Sequence, residues 1–476
     1  MTAEIWKFEE LLAASGGTAD GRPQKPLAGF SIDTRSIEPG DVFVALKGAR
    51  DGHEFVSTAF AAGASAAIVS DAYVRQSGDG ALIKTHDTLA ALENIGRAAR
   101  ARLSPEARVV AVTGSVGKTT TKDMLGACLA RLGPTHAAAK SFNNHLGVPL
   151  TLARMPRDTR YGVFEIGMNH AGEIAPLTRM VRPDAAIVTT IEAVHIENFA
   201  SVEDIARAKA EIFGGLEAGG AAVINADNPH CSILAAEARA QGARIVTFSG
   251  CGRVSGATVS ADIPNLASSG GETDVVTERW RYRLAIPGAH NIMNSLAVVA
   301  TLEAIGADVE RALPAFAAMR PPAGRGTRAE IVLEKGKLLL VDESYNANPA
   351  SMRAALTVVG TIPRKDWPRR IAVLGDMLEL GPEAPALHAG LIDAVDAAGI
   401  DLVFAAGPNM ARLIERVPEP RRGGWAPSSA ELEGTLLNAV RSGDVVMIKG
   451  SNGSRMARLV EALRSLATER SKDAQL

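Results

Sequence analysis

The sequence predicts a three-domain α/β protein. An N-terminal α/β domain spans residues 1–105, a central domain with a mostly parallel sheet spans 106–318, and a C-terminal doubly wound, Rossmann-like domain spans 319–476. Three observations lead there. The chain has 476 residues, and a domain averages about 150. Residues 109–122, VVAVTGSVGKTTTK, set a buried-strand pattern, a glycine loop and a helix pattern in a row. Strand and helix patterns then alternate, as a parallel sheet covered on both faces requires, and the alternation restarts after the stretch Arg320–Gly326.

The glycine loop organises the chain. Val109 to Val112 read as a strand, and Met124, Leu125, Cys128, Leu129 and Leu132 give the following helix its apolar face. Between them, Gly114, Ser115, Val116, Gly117, Lys118, Thr119 and Thr120 form a phosphate-binding loop. Glycines let the backbone approach a phosphate, and free N–H groups at the helix start point at the anion. Lys118 supplies a point charge, and the Thr119 hydroxyl can hold Mg²⁺. The usual spacing puts a glycine six residues before the lysine. Val112 stands there and Gly114 comes later, so the loop is a shortened variant.

In the first domain, Asp33, Thr34, Arg35 and Ser36 form a polar turn after a short strand; a capped turn and a binding turn are both open. Residues 54–70 read as helix then strand, and 87–103 as a helix leading to the glycine loop. In the central domain, strands are expected at 161–166, 184–191, 221–225 and 244–248, and helices at 202–216 and 230–241. Residues 250–285 lose the alternation and are expected to make an antiparallel excursion; a helix then runs from Pro287 to about Ile305. In the last domain, strands are expected at 338–342, 371–374, 402–405 and 445–448, with helices at 351–360, 385–398, 409–416 and 455–467.

Composition excludes several classes. Hydrophobic residues are 46% and charged residues 22%, a soluble globular balance. A net charge of −2 argues against a nucleic-acid partner held by phosphate attraction. No apolar run approaches the ~18 residues of a membrane span, and the N-terminus lacks a basic segment followed by an apolar core. Cys128, Cys231 and Cys251 form no close pair. A cytoplasmic, monomeric protein is expected.

In open α/β sheets, ligands bind beyond the carboxyl ends of the strands. Glu165, His195, Asn225 and Asp227 sit there in the central domain, and Asp342 and Lys449 in the last. Glu165 suits Mg²⁺, which takes oxygen ligands. His195 is a less natural ligand for that ion. Lys209 reads, on spacing alone, as a solvated helix face. Asn346, Asn348 and Ser351 lie in a turn before a helix, which suits a polar ligand.

TGSVGKTTTK, SFNNHLGVPLTL (141–152), EIGMNHAGEI (165–174), AKAEIF (208–213), PGAHNIMNSLA (287–297), DESYNANPASM (342–352), LGDMLELG (374–381) and VMIKGSNGSRM (446–456) together resemble the Mur ligases. The glycine loop is shared with folylpolyglutamate synthases; ESYNANPASM and EIGMNHAGEI are more specific. The resemblance implies a first domain for a UDP-sugar precursor, a second for ATP and a third for an incoming amine. It implies an ATP-dependent amide ligase using Mg²⁺, with UDP-N-acetylmuramoyl-tripeptide and D-alanyl-D-alanine as partners. It places Lys118, Lys209, His195 and Arg325 in catalysis, and Thr119, Glu165, His195 and a carbamylated Lys209 around the metal. It puts the glycine loop, Asn291, Asn294, Arg325 and Asp342 on the nucleotide. Asp33 to Ser36, Asn143, Asn144, Tyr345, Asn346, Asn348 and Lys449 fall to the substrates. Met168, where a small residue is expected, and Glu192, where glycine is more usual, depart from the family pattern. A sibling ligase adding another amino acid, or a P-loop switch without an acceptor site, are the alternatives.

Overall fold

The computed structural model describes residues 3–138, 141–194, 196–252, 256–263 and 272–473. The central sheet has seven strands in the order Val259–Ser260, Arg244–Ser249, Ala221–Asn225, Ala185–Val188, Arg108–Thr113, Tyr161–Glu165 and Thr135–Ala137. Every neighbouring pair is parallel. Both faces are covered, which is why the strands are apolar throughout. Val109 and Ala111 pack with Ile174, Leu177, Ile205 and Leu234 on one face. Val110 and Val112 pack with Met124, Leu125, Cys128, Leu129 and the helix Ala289–Ala304 on the other.

The expected strand at 184–191 stops at Val188, and Thr189 to Glu192 leave the sheet. The expected helix at 202–216 is α-helical only over Val202–Ala210 and tightens to a 3₁₀ turn at Glu211–Gly215. Gly215 lies so close to the main chain of Thr178 that any Cβ there would collide, so the turn docks backbone against backbone on the helix Ile174–Val181. The excursion contains one antiparallel hairpin, Thr273–Val276 with Arg281–Leu284; residues 264–271 of the expected region lie outside the described residues.

The N-terminal sheet has five strands in the order Thr18–Asp20, Ala81–Thr85, Ala66–Ser70, Asp41–Val44 and Gly29–Ser31. Only the first pairing is antiparallel. This sheet is bound firmly to the centre. The helix Thr88–Ala101 packs on Gly147–Ala153, where Gly96 comes against Pro149 and Leu152. Trp6 Nε1 donates to Ala153 O at 2.8 Å, and the Arg102 guanidinium lies 3.6 Å from the centre of the Trp6 ring.

The last sheet has six strands in the order Thr327–Val332, Lys337–Glu343, Asp444–Lys449, Arg369–Gly375, Leu402–Ala406 and Arg422–Ala426. The first pair is antiparallel and the rest parallel. Neither edge strand is expected from the sequence. Thr327–Val332 alternates more and less exposed residues, as an edge strand with one face to solvent does. The helix expected at 385–398 is broken at Gly390 into Ala384–Ala389 and Ile392–Ala397, and that expected at 409–416 is only Ala411–Ile414. Among the described residues, no helix is long and apolar enough to cross a membrane. The carboxyl ends of the central and last sheets face a common cleft, lined from Ser115–Thr120 on one side and from Glu343–Ser351, Leu378–Glu379 and Lys449–Gly453 on the other.

Candidate active site

The cleft encloses about 650 Å³. Its floor is the glycine loop. Gly114 has φ 145°, and a Cβ there would collide with Thr189 Oγ1; Gly117 has φ 88°, and a Cβ would lie 2.6 Å from Asn294 Oδ1. Only glycine satisfies both the left-handed backbone and the close approach. The loop is strapped to the segment that leaves the sheet after Val188. Thr189 Oγ1 donates to Val116 O at 2.5 Å, Ser115 N to Thr190 O at 2.8 Å and Ser115 Oγ to Glu192 O at 3.0 Å. The main chain of Glu192 therefore holds the loop, so its departure from the family pattern leaves the strap intact. Burial pushes the Glu192 carboxyl up. Met168 is buried against the cleft lining.

Lys118 Nζ donates to Gly114 O at 2.6 Å and to Ser115 O at 3.4 Å, so its ammonium is curled over the anion-binding loop. Burial lowers its pKa; the Glu165 carboxylate opposes this and the Arg325 guanidinium adds to it. Thr119 Oγ1 donates to Glu165 Oε2 at 2.8 Å, and Asn143 Nδ2 to Glu165 Oε1 at 2.7 Å. Ser141 Oγ lies 3.3 Å from Thr119 Oγ1 and accepts from Tyr345 OH at 3.0 Å, a bridge from the central to the last domain. Arg325 stacks on Tyr345, 4.2 Å from its ring centre. Asn291 Nδ2 donates to Pro287 O at 2.7 Å, and Asn291 and Asn294 both line the cleft. Lys449 Nζ donates to Asn346 O at 2.9 Å and pairs with Glu343 at 3.4 Å.

The structure thus brings Ser115 to Thr120, Asn143, Glu165, Asn291, Asn294, Arg325, Tyr345, Asn346, Asn348 and Lys449 into one cleft. Lys209 is 2% exposed, the reverse of the solvated face its spacing reads as. Burial, and next the Lys118 ammonium, push its amine well below the ordinary lysine value. His195 lies outside the described residues. Asn144 is a cap: its Oδ1 accepts from Leu146 N and Gly147 N. Asp342 faces away from the cleft. Leu339, Val341 and Glu343 share one face of their strand, whereas Leu338, Leu340 and Asp342 share the other, under the C-terminal helix, where Arg464 lies 3.7 Å from Asp342. Glu343 is the cleft residue of that pair, a choice that the alternation of the strand carries. Asp33 caps its own turn and takes a forked contact from Arg35, which holds its carboxyl down at about 2. This turn follows the strand Gly29–Ser31, apart from the cleft.

Residues 26–106 match the description "Mur ligase family, catalytic domain", 112–302 "Mur ligase middle domain" and 327–452 "Mur ligase, glutamate ligase domain". The chain belongs to the Mur ligase family, whose members are ATP-dependent. It is 36% identical over 453 residues to the UDP-N-acetylmuramoyl-tripeptide–D-alanyl-D-alanine ligase of Escherichia coli strain K12, covering 93% of this chain and 95% of the relative. It is 32% identical over 447 residues to the protein of the same name from Bacillus subtilis strain 168, covering 92% and 94%. A crystal structure of MurF from Acinetobacter baumannii superposes with a TM-score of 0.81 at 29% identity, over 98% of this chain and 100% of that one. MurF ligase from Thermotoga maritima, in complex with ADP, gives 0.74 at 25% identity, over 93% and 98%.

Proposed function

We infer that the protein joins D-alanyl-D-alanine to the terminal carboxylate of UDP-N-acetylmuramoyl-tripeptide in an ATP-dependent reaction of peptidoglycan synthesis. The observation that carries this is the shared cleft. A phosphate-binding loop on the central domain faces, across about 650 Å³, polar loops from three strand ends of another sheet. A nucleotide switch needs the first wall and has no use for the second.

A carboxylate is a poor electrophile, and phosphorylation gives it a leaving group. The tripeptide carboxylate attacks the γ-phosphate of ATP, ADP departs, and the amine then displaces phosphate through a tetrahedral intermediate. Lys118 and Arg325 neutralise charge on the transferring phosphoryl group. Asn291 and Asn294 orient the nucleotide. Thr119 and Glu165 place a hydroxyl and a carboxylate together, oxygen donors that suit Mg²⁺ completed by phosphate oxygens and water, while the Asn143 amide N–H holds the carboxylate. That ion would offset phosphate charge. The first domain, residues 1–105, would take the UDP precursor, with Asp33 to Ser36 at its strand end. In this reading the enzyme is a monomer and works in the cytoplasm.

The test is ADP release by the purified protein with UDP-N-acetylmuramoyl-tripeptide and each of several amines. Turnover should need both the precursor and D-alanyl-D-alanine, with a pentapeptide product by mass. Equal turnover without an amine, or with a single amino acid in its place, would contradict the assignment.

Closure of the cleft is expected as well. ATP would touch Lys118 on one side and Arg325 on the other, and Gly324 and Gly326, at φ 73° and 94°, flank Arg325 in the connecting stretch. A ligand that contacts both domains favours the state in which they meet. ATP and precursor together should therefore reduce the radius of gyration in small-angle scattering; an unchanged value would count against a hinge at 320–326.

A further inference from the structure

Tyr345 is a large aromatic residue left 38% exposed in the loop that follows the strand Lys337–Glu343. That loop is firmly built. Ser344 N and Ser344 Oγ both donate to Asp342 Oδ1, at 3.1 and 2.6 Å. Tyr345 N donates to Gly324 O at 3.1 Å, and Gly326 N donates to Asp342 O at 2.8 Å. Gly324 has φ 73°, and a Cβ there would lie 2.9 Å from the Tyr345 Cβ, so glycine is what lets the two segments touch. The main chain is thus clasped to the Tyr345 loop on both sides of Arg325. The Arg325 guanidinium in turn lies over the Tyr345 ring, 4.2 Å from its centre.

The other end of the same side chain reaches the central domain. Tyr345 OH donates to Ser141 Oγ at 3.0 Å. Ser141 begins a fixed turn: Asn143 N donates to Ser141 O at 2.9 Å, Gly167 N to Asn143 O at 2.8 Å, and the Asn143 amide to Glu165 Oε1 at 2.7 Å. A hydroxyl has one proton to donate. Thr119 gives its own to Glu165 Oε2 at 2.8 Å, so in the 3.3 Å contact between Ser141 Oγ and Thr119 Oγ1 the donor is Ser141. The hydrogen bonds therefore run one way, from Tyr345 to Ser141 to Thr119 to Glu165. The chain starts on the last domain and ends on the carboxylate beside the phosphate loop. Bonds linked in this way polarise one another.

The two ends of this side chain do different things. Without the hydroxyl the domains lose their link through Ser141. Without the ring the arginine is free to move, and a long side chain is costly to hold in one rotamer. Arg325 lies close enough to Lys118 for its charge to lower that lysine's proton affinity. We propose that Tyr345 is a positioning residue for phosphoryl transfer: its hydroxyl docks the last domain on Ser141 while its ring holds the Arg325 guanidinium at the phosphate loop, so that the domains meet with the arginine in place. The assignment rests on the ligase reading above and gives Tyr345 a role other than contact with a substrate.

Double-mutant cycles in the full-length protein test it, read as single-turnover ADP formation at saturating ATP, precursor and D-alanyl-D-alanine. Tyr345→Phe and Ser141→Ala remove the same hydrogen bond. Each should lower the rate about three- to tenfold, and the double variant should be no slower than the slower single one. Tyr345→Ala should lose about tenfold more than Tyr345→Phe, and nearly all of that extra loss should vanish in an Arg325→Ala background. The compaction that ATP and precursor produce in small-angle scattering should be weaker in Tyr345→Phe and in Ser141→Ala than in wild type, a readout independent of turnover. A merely structural tyrosine, or one that touches substrate alone, would give losses that add to those of Ser141→Ala and Arg325→Ala. Additive losses, or full activity in both Tyr345→Phe and Ser141→Ala, overturn the proposal. Wild-type protein that forms no pentapeptide would overturn the ligase reading itself, a result distinct from an active wild type whose variants show additive losses.

Discussion

Lys118→Ala should lower the rate of ligation by a factor on the order of 10² or more while leaving the melting temperature nearly unchanged. Both halves come from the same geometry. The Lys118 side chain packs no core; its ammonium reaches only the carbonyls of Gly114 and Ser115, at the mouth of a loop that glycine, Thr189 and the Glu192 main chain already hold. Removing it gives those carbonyls back to water. The catalytic loss is larger because charge builds on the transferring phosphoryl group in a cleft where Lys118 and Arg325 are both positive and close enough that the guanidinium helps to lower the proton affinity of Lys118. Lys118→Arg should not restore full activity, since a planar fork cannot replace a compact point charge in a loop this tight. Thermal melts and single-turnover ADP formation, read on the same preparations, check the pair of effects. Near-normal turnover by folded Lys118→Ala would remove the lysine from phosphoryl transfer.

Lys209→Ala should be nearly inactive, and formate or acetate should restore part of the activity. A 2% exposed ammonium beside a second one is an unfavourable arrangement. Both burial and Lys118 favour the neutral amine, and a neutral amine adds to the carbon of CO₂, releasing one proton and leaving a carbamate anion. The anion replaces repulsion with attraction toward Lys118 and offers two oxygens of the kind Mg²⁺ accepts. Native mass measurement should show one added CO₂ that acid removes, and CO₂-depleted buffer should lower activity reversibly. An unmodified lysine together with a fully active Lys209→Ala enzyme would sink the carbamate.

Some of this was plain in the sequence. The strand, glycine loop and helix at 108–130 follow from local pattern, because a strand covered on both faces must be apolar throughout and a phosphate loop must be glycine-rich. Glu165 was legible for the same reason: strand ends in parallel sheets point at ligands. Lys209 was not. Its neighbours space like an exposed helix face, and its burial depends on how the helix Val202–Ala210 packs on elements that follow it, the helix Cys231–Ala240 among them, which no local pattern announces. Asp342 and Glu343 were separable in principle, since adjacent strand residues face opposite ways and the apolar run before them fixes which way is inward. Asn144 had the look of a ligand and caps a helix, as asparagines before a glycine often do. Glu379 carried no signal in composition or period. Its position depends on a positive φ and on hydrogen bonds that Met377 N and Leu378 N donate to His388 and Ser451, and no local rule announces either.

The central claim is that the precursor's carboxylate is activated as an acyl phosphate in the cleft between the glycine loop and the last domain. Precursor labelled with ¹⁸O in the terminal carboxylate tests it most directly. Attack of that carboxylate on ATP and displacement by the amine carry one carboxylate oxygen into the released phosphate, so each phosphate formed with D-alanyl-D-alanine present should contain one labelled oxygen. Phosphate without label, formed at the same rate as ADP, would mean that water and not the precursor attacks the nucleotide, and would contradict the account.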